Sequence, residues 1–77
     1  MNSPFVRQQA EVWAEGLQAS FPDDPSRIRA AWLKAFGRFP SSEEEDSCAS
    51  FLIDPKNGGW EELCHALFNV KEFVHVP

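Results

Sequence analysis

The chain has no tyrosine, one methionine, two cysteines and no long apolar run in its 77 residues. A spanning helix needs about 20 consecutive apolar residues, so no stretch here can cross a membrane as a helix. The opening residues, Met1 to Arg7, turn polar before any apolar run develops, which reads as neither a signal peptide nor an anchor. Cys48 and Cys64 are too few for the disulfide framework of small secreted scaffolds, although one bridge fits an oxidising compartment. Cations are scarce too. Lys and Arg total 7 against 12 Asp and Glu, a net charge of −5, so the long-range field repels phosphate backbones and anionic lipid surfaces. Neither nucleic acid nor a membrane is an expected partner.

What the chain does have is aromatic area without hydroxyls, 7 Phe and 3 Trp, each ring able to bury roughly 150–250 Å². A single domain of this size buries only about 60% of the surface its unfolded chain exposes. The large rings are therefore expected to carry the core, with residues 1–77 forming one helical domain.

Four segments carry helical periodicity. Ser3-Pro4 has the form of a helix start, and Val6, Ala10, Trp13 and Leu17 then recur at steps of four, three and four along one stripe. Pro22 and Pro25 break the chain, and Asp24-Pro25 opens a second helix. In it Ile28, Ala31, Trp32, Ala35 and Phe36 fill one face, with Gly37 placed as a left-handed cap. Ser41-x-x-Glu44 is a capping box. The acids Glu43 to Asp46 then fall in the electropositive first turn of a third helix, whose short apolar face is Cys48, Ala49, Phe51 and Leu52. Asp54 to Gly59 is a turn, after which Trp60, Leu63, Cys64, Leu67 and Phe68 mark a fourth helix. The tail Phe73-Val74-His75-Val76 alternates, but one strand without a partner is not stable, so Phe73 and Val74 are expected to fold back over the bundle. The fold class that follows is all-α, a four-helix bundle of orthogonal or up-down type.

The residues with ligand chemistry are Cys48, Cys64, His65 and His75. A structural zinc site needs four such groups converging at about 2.0–2.3 Å, and no Cys-x-x-Cys or His-x-x-x-His pair occurs. Cys64-His65 has the end of a Cys-x-x-Cys-His haem attachment sequence, but Glu61 stands where the first thiol belongs. Neighbours on a helix diverge by about 100°, which also prevents a Cys64-His65 nucleophilic dyad. Cys64 is expected to face the core and His65 to turn away from it. Helix 2, the Gly37 turn and helix 3 imitate a helix-turn-helix, yet the acids of helix 3 would face phosphate. The acid run lacks the alternate spacing and glycine of a hard-cation loop. No catalytic, cofactor-binding or metal residue is assigned, and little room is expected for a pocket of about 300 Å³ or more. Phe5, Phe21, Phe39, Phe51 and Phe73 lie near element ends. They are expected to cap the bundle, and any left uncovered would form a docking patch.

Three segments, Asn2-Ser3-Pro4-Phe5-Val6, Ala35-Phe36-Gly37-Arg38-Phe39-Pro40-Ser41 and Leu63-Cys64-His65-Ala66-Leu67-Phe68-Asn69 with Glu72-Phe73, occur in this order. Together they resemble the C-terminal end of the planctomycete family catalogued as domain of unknown function 1553, whose members are often large proteins with cytochrome-c-like domains. The chain departs from that family at Glu45 and Asp46 and in its Gly58-Gly59 loop. The resemblance implies that this chain is the C-terminal piece of a larger, exported parent and that Met1 corresponds to an internal position. The function expected is a non-catalytic structural or interaction module that meets other domains of the parent or a protein partner. The alternative is a redox or metal accessory domain built on Cys64, His65 and His75.

Overall fold

The structure, a computed structural model, describes residues 4–74, with side chains from Pro4 to Val70. Four helices follow one another: α1 (Pro4–Ser20), α2 (Asp24–Phe36), α3 (Ser42–Ile53) and α4 (Gly59–Val74). A 3₁₀ turn, Pro55–Asn57, joins α3 to α4. No strand occurs among the described residues, and the molecule is a small four-helix bundle. Its radius of gyration, 11.8 Å, is close to the ~11.5 Å expected of a compact domain this long, so the helices share one core.

Local chemistry sets most of the boundaries. Pro4 begins α1, while the expected Ser3 cap lies outside the described residues. α2 opens at Asp24-Pro25 as expected, and its cap is Asp23, whose carboxylate accepts the Ser26 amide at 2.9 Å. Asp24 is thereby released for tertiary work, and its Oδ1 accepts from Trp60 Nε1 at 3.0 Å. Gly37 ends α2 at φ +72° and donates its amide to the Leu33 carbonyl at 2.9 Å. The capping box of α3 forms in both directions, with the Glu44 amide donating to Ser41 Oγ and the Ser41 amide to Glu44 Oε1. Asp54 caps the 3₁₀ turn, and Gly58 closes it at φ +95°.

The centre of the bundle differs from expectation. Small and branched residues occupy it: Ala10, Ala14 and Leu17 from α1, Ile28 and Ala31 from α2, Cys48 from α3, and Leu63, Cys64 and Leu67 from α4. Trp60 is the one buried tryptophan, while Trp13 and Trp32 lie half-buried against the same cluster. Alanines at the crossings let the helix axes approach closely, which leaves the large rings to seal the edges.

α4 touches each of the other helices, and its interface with α1 is the largest in the molecule. Contacts advance together along this pair, with Arg7 opposite Glu62 and His65, and Gln9 and Trp13 beside Phe68. α1 and α4 therefore run in the same general sense, whereas an up-down-up-down order would oppose them. α4 also continues as helix through Val74, so residues 73 and 74 extend the element instead of folding back from it. The side chain of Phe73 and all of His75 lie outside the described residues.

α3 is the lightest element, with Cys48 its one buried residue. Polar links hold it to α2 and to the turn that follows α2. Trp32 Nε1 donates to Cys48 Sγ at 3.4 Å, Arg29 pairs with Glu45 at 3.0 Å, and Arg38 grips both Glu44 oxygens at 2.9 and 3.0 Å. Glu45 is thus held by Arg29.

Candidate functional site

Cys64 is fully buried at 0% exposure, and desolvation pushes its thiol up to about 12. Cys48 is buried as well, and burial raises its thiol against the opposing hydrogen bond from Trp32. Both are free thiols. The Cys64 thiol, held this far above neutral pH, supplies almost no thiolate, the form that attacks or ligates.

His65 does not turn away from the protein as its sequence position implied. It is 5% exposed, about 100° around α4 from Cys64, under α1. Arg7 Nη2 lies 3.4 Å from His65 Nδ1, and Glu62 Oε2 lies 3.9 Å from the same nitrogen. Arginine can only donate, so in the shorter contact Nδ1 is the acceptor. Arg7 also donates to Glu62 Oε1 at 2.6 Å. Together the three side chains clasp α1 to α4, and the reason His65 is covered is that α1 lies across this side of α4. Cys64 and His65 thus serve different interfaces. Among the described residues no three His, Cys, Asp or Glu side chains are grouped to hold a metal ion.

Two openings in the surface lie elsewhere, one where α1, α2 and α4 meet and one between α1 and α2. One, of about 120 Å³, is lined by Gln9, Trp13, Lys34, Ala35 and Phe68. Beside it runs an open groove of about 410 Å³, larger than the sequence led us to expect, walled by Val12, Trp13, Gly16, Leu17, Ala30 and Lys34. It exists because Gly16 and Ala30 face one another with little side chain between the helices. Among the described residues Lys34 is the only ionisable one lining either opening. Its ammonium lies 5.9 Å from the Trp13 ring centroid, and no carboxylate among the described residues is within ion-pair distance. Trp13 Nε1 is covered and has no hydrogen-bond partner among the described residues.

Next to the groove α1 carries a second apolar face. At 100° per residue, Phe5, Val12, Gly16 and Ala19 fall within an arc of about 60°, and all four are exposed, Phe5 at 67% and Val12 at 59%. The opposite flank of this strip carries Gln8, Glu11 and Glu15, all exposed. The expectation that Phe5, Phe21, Phe39 and Phe51 seal the bundle ends holds for Phe51, which is half-buried, and fails for Phe5 and Phe39. Of this strip the sequence reading had singled out Phe5 alone. The seven-residue spacing of Phe5, Val12 and Ala19 was the signal that could have found the rest. Compared with known proteins, the chain matches no family model, no curated protein and no solved structure.

Proposed function

We propose that this chain is a non-catalytic helical module that works by docking against protein. The observation that carries the reading is the second apolar face of α1, because the fold uses one face of that helix and leaves the other to solvent. Apolar residues scattered singly over a surface mean little, but a strip along one helix bordering a groove is the form a docking surface takes. The lining of the two openings, apolar but for Lys34 and a few neutral polar groups among the described residues, supports a non-catalytic role. The resemblance to the C-terminal end of the domain of unknown function 1553 family supports the further reading that the module closes a longer parent. What weighs against the redox or metal alternative is the divergence of Cys64 and His65 into separate buried interfaces.

The test is retention of the purified chain by the immobilised remaining domains of a longer member of that family. The wild-type chain is expected to be retained, and Val12→Asp, which places a charge on the exposed face without touching the core, to be lost. Failure of the wild type to bind, or equal binding by a folded Val12→Asp chain, removes the reading that this face meets the domains of a parent.

A further inference from the structure

The α1 strip is flanked by unpaired charge of opposite sign on its two sides. Arg7, Arg27, Arg29 and Arg38 are all engaged in ion pairs, yet Lys34 on the groove side has no carboxylate partner among the described residues. Glu11 and Glu15 on the other side have no cation within ion-pair distance among those residues either. The two sets lie at the same height along α1, since Lys34 sits over Trp13, midway between residues 11 and 15. Between them Phe5, Val12 and Ala19 keep a strict seven-residue spacing, the repeat that lets two helices stay in register along a seam. Gly16 brings no Cβ to that seam, and one built there meets nothing within 4 Å, so a second helix can approach closely.

Such a surface is complementary to itself in one direction only. Under a two-fold axis parallel to α1, the groove side of one copy meets the acidic side of the other, and each Lys34 falls beside the other copy's Glu11 and Glu15. An antiparallel pairing brings like flanks together, Lys34 against Lys34 and acid against acid. A symmetric pair built from one shared patch is the commonest closed assembly of soluble chains. We propose that the exposed α1 face and the α1–α2 groove pair with a second copy of this chain, α1 beside α1 in parallel, with Lys34 set against the acidic flank of its counterpart. This names one occupant for the docking face and rests on that reading of it. The seam is a single helix pair on a chain with a net charge of −5, so the association is weak and concentration-dependent.

Sedimentation of the full chain from micromolar to millimolar concentration tests it. A monomer–dimer equilibrium is expected for the wild type, weakened about tenfold or more by Lys34→Glu or by Glu15→Lys, and recovered in the Lys34→Glu, Glu15→Lys double variant. Circular dichroism verifies that each variant remains folded, which these exposed positions favour. Phe5→Cys adds an independent readout of direction. Parallel helices set position 5 beside position 5 and give an oxidised dimer, whereas antiparallel helices separate the two thiols by most of the length of α1. A wild-type chain that stays monomeric throughout, single variants that associate as the wild type does, a double variant that fails to recover, or no Phe5→Cys cross-link would each overturn the proposal. Loss of self-association with retention on the parent's domains intact would remove only this pairing. Loss of retention with self-association intact would instead remove the assignment to a parent.

Discussion

Two glycines make a stringent pair for the backbone argument, because the same substitution at each should move stability in opposite directions. A Cβ added at Gly16 or at Gly37 meets nothing within 4 Å, so neither Gly→Ala change involves a clash. What differs is conformation. Gly16 lies inside α1, where alanine is favoured over glycine by about 0.5–1 kcal/mol. Gly37 caps α2 at φ +72°, where a residue with a Cβ costs about 1–2 kcal/mol. Alanine also restricts the unfolded chain, which returns about 0.5 kcal/mol and leaves a net loss of about 0.5–1.5 kcal/mol. The two variants should therefore differ by about 1–2.5 kcal/mol. A domain of this length shifts its Tm by about 4–8 °C per kcal/mol, so their melting temperatures should lie about 4–20 °C apart on either side of the wild type. Thermal and urea unfolding followed by circular dichroism at low micromolar concentration reads this on the monomer. At position 37, asparagine should lose less than alanine and valine more, since asparagine tolerates the left-handed region and a β-branched residue does not. A Gly37→Ala chain as stable as the wild type, or a destabilised Gly16→Ala chain, would refute the reasoning.

Removing the α3 cap by Ser41→Ala should cost about 0.5–2 kcal/mol, read by urea denaturation, and should matter because so little of α3 is buried. Glu44 is drawn from its ordinary 4.5 to about 2, chiefly by the Arg38 hydrogen bonds and then by the Ser41 amide. Its folded value is depressed, so its contribution is present above about 4.5 and fades as pH falls toward about 2. Acid unfolding of Glu44→Gln should lose that part of its pH dependence, and an unchanged acid limb would count against the Arg38 contact. Trp60→Phe should cost more than Trp13→Phe, because the first breaks the bond from Nε1 to Asp24 and the second breaks none. Equal losses in thermal unfolding would reject that account. With its thiol near 12, Cys64 should present only about one thiolate in 10⁴ at pH 8 and react with a disulfide reagent only as the protein opens, and prompt labelling of the native chain would show otherwise.

How far the sequence could be read follows from how local each rule is. Gly37, Ser41 and Glu44 were legible because a cap is decided within four residues. Asp24-Pro25 was legible as the opening of α2, which begins at Asp24, whereas Asp23, the cap just before it, was not singled out. The burial of Cys64 followed from its place on the stripe with Trp60, Leu63 and Leu67. That of His65 did not, since it depends on Arg7 and α1, 58 residues away in the chain. The expected aromatic centre gave way to alanines for the same reason: periodicity identifies which positions face inward, but the spacing between helices decides how much side chain fits there. The α1–α2 groove was out of reach of any single-helix pattern, being formed by what Gly16 and Ala30 leave unfilled.

The joining of α1 to α4 bears on how the chain comes to be folded. α4 supplies Trp60, Leu63, Cys64 and Leu67, the part of the core against which α1 closes. α1, made first, has only a thin contact with α2, so it must wait for the last quarter of the sequence before most of its buried face is covered. Covering the buried face of α1 therefore means pairing it with α4 across a connection of some 40 residues, whose closure costs more chain entropy than the short turns between the other helices.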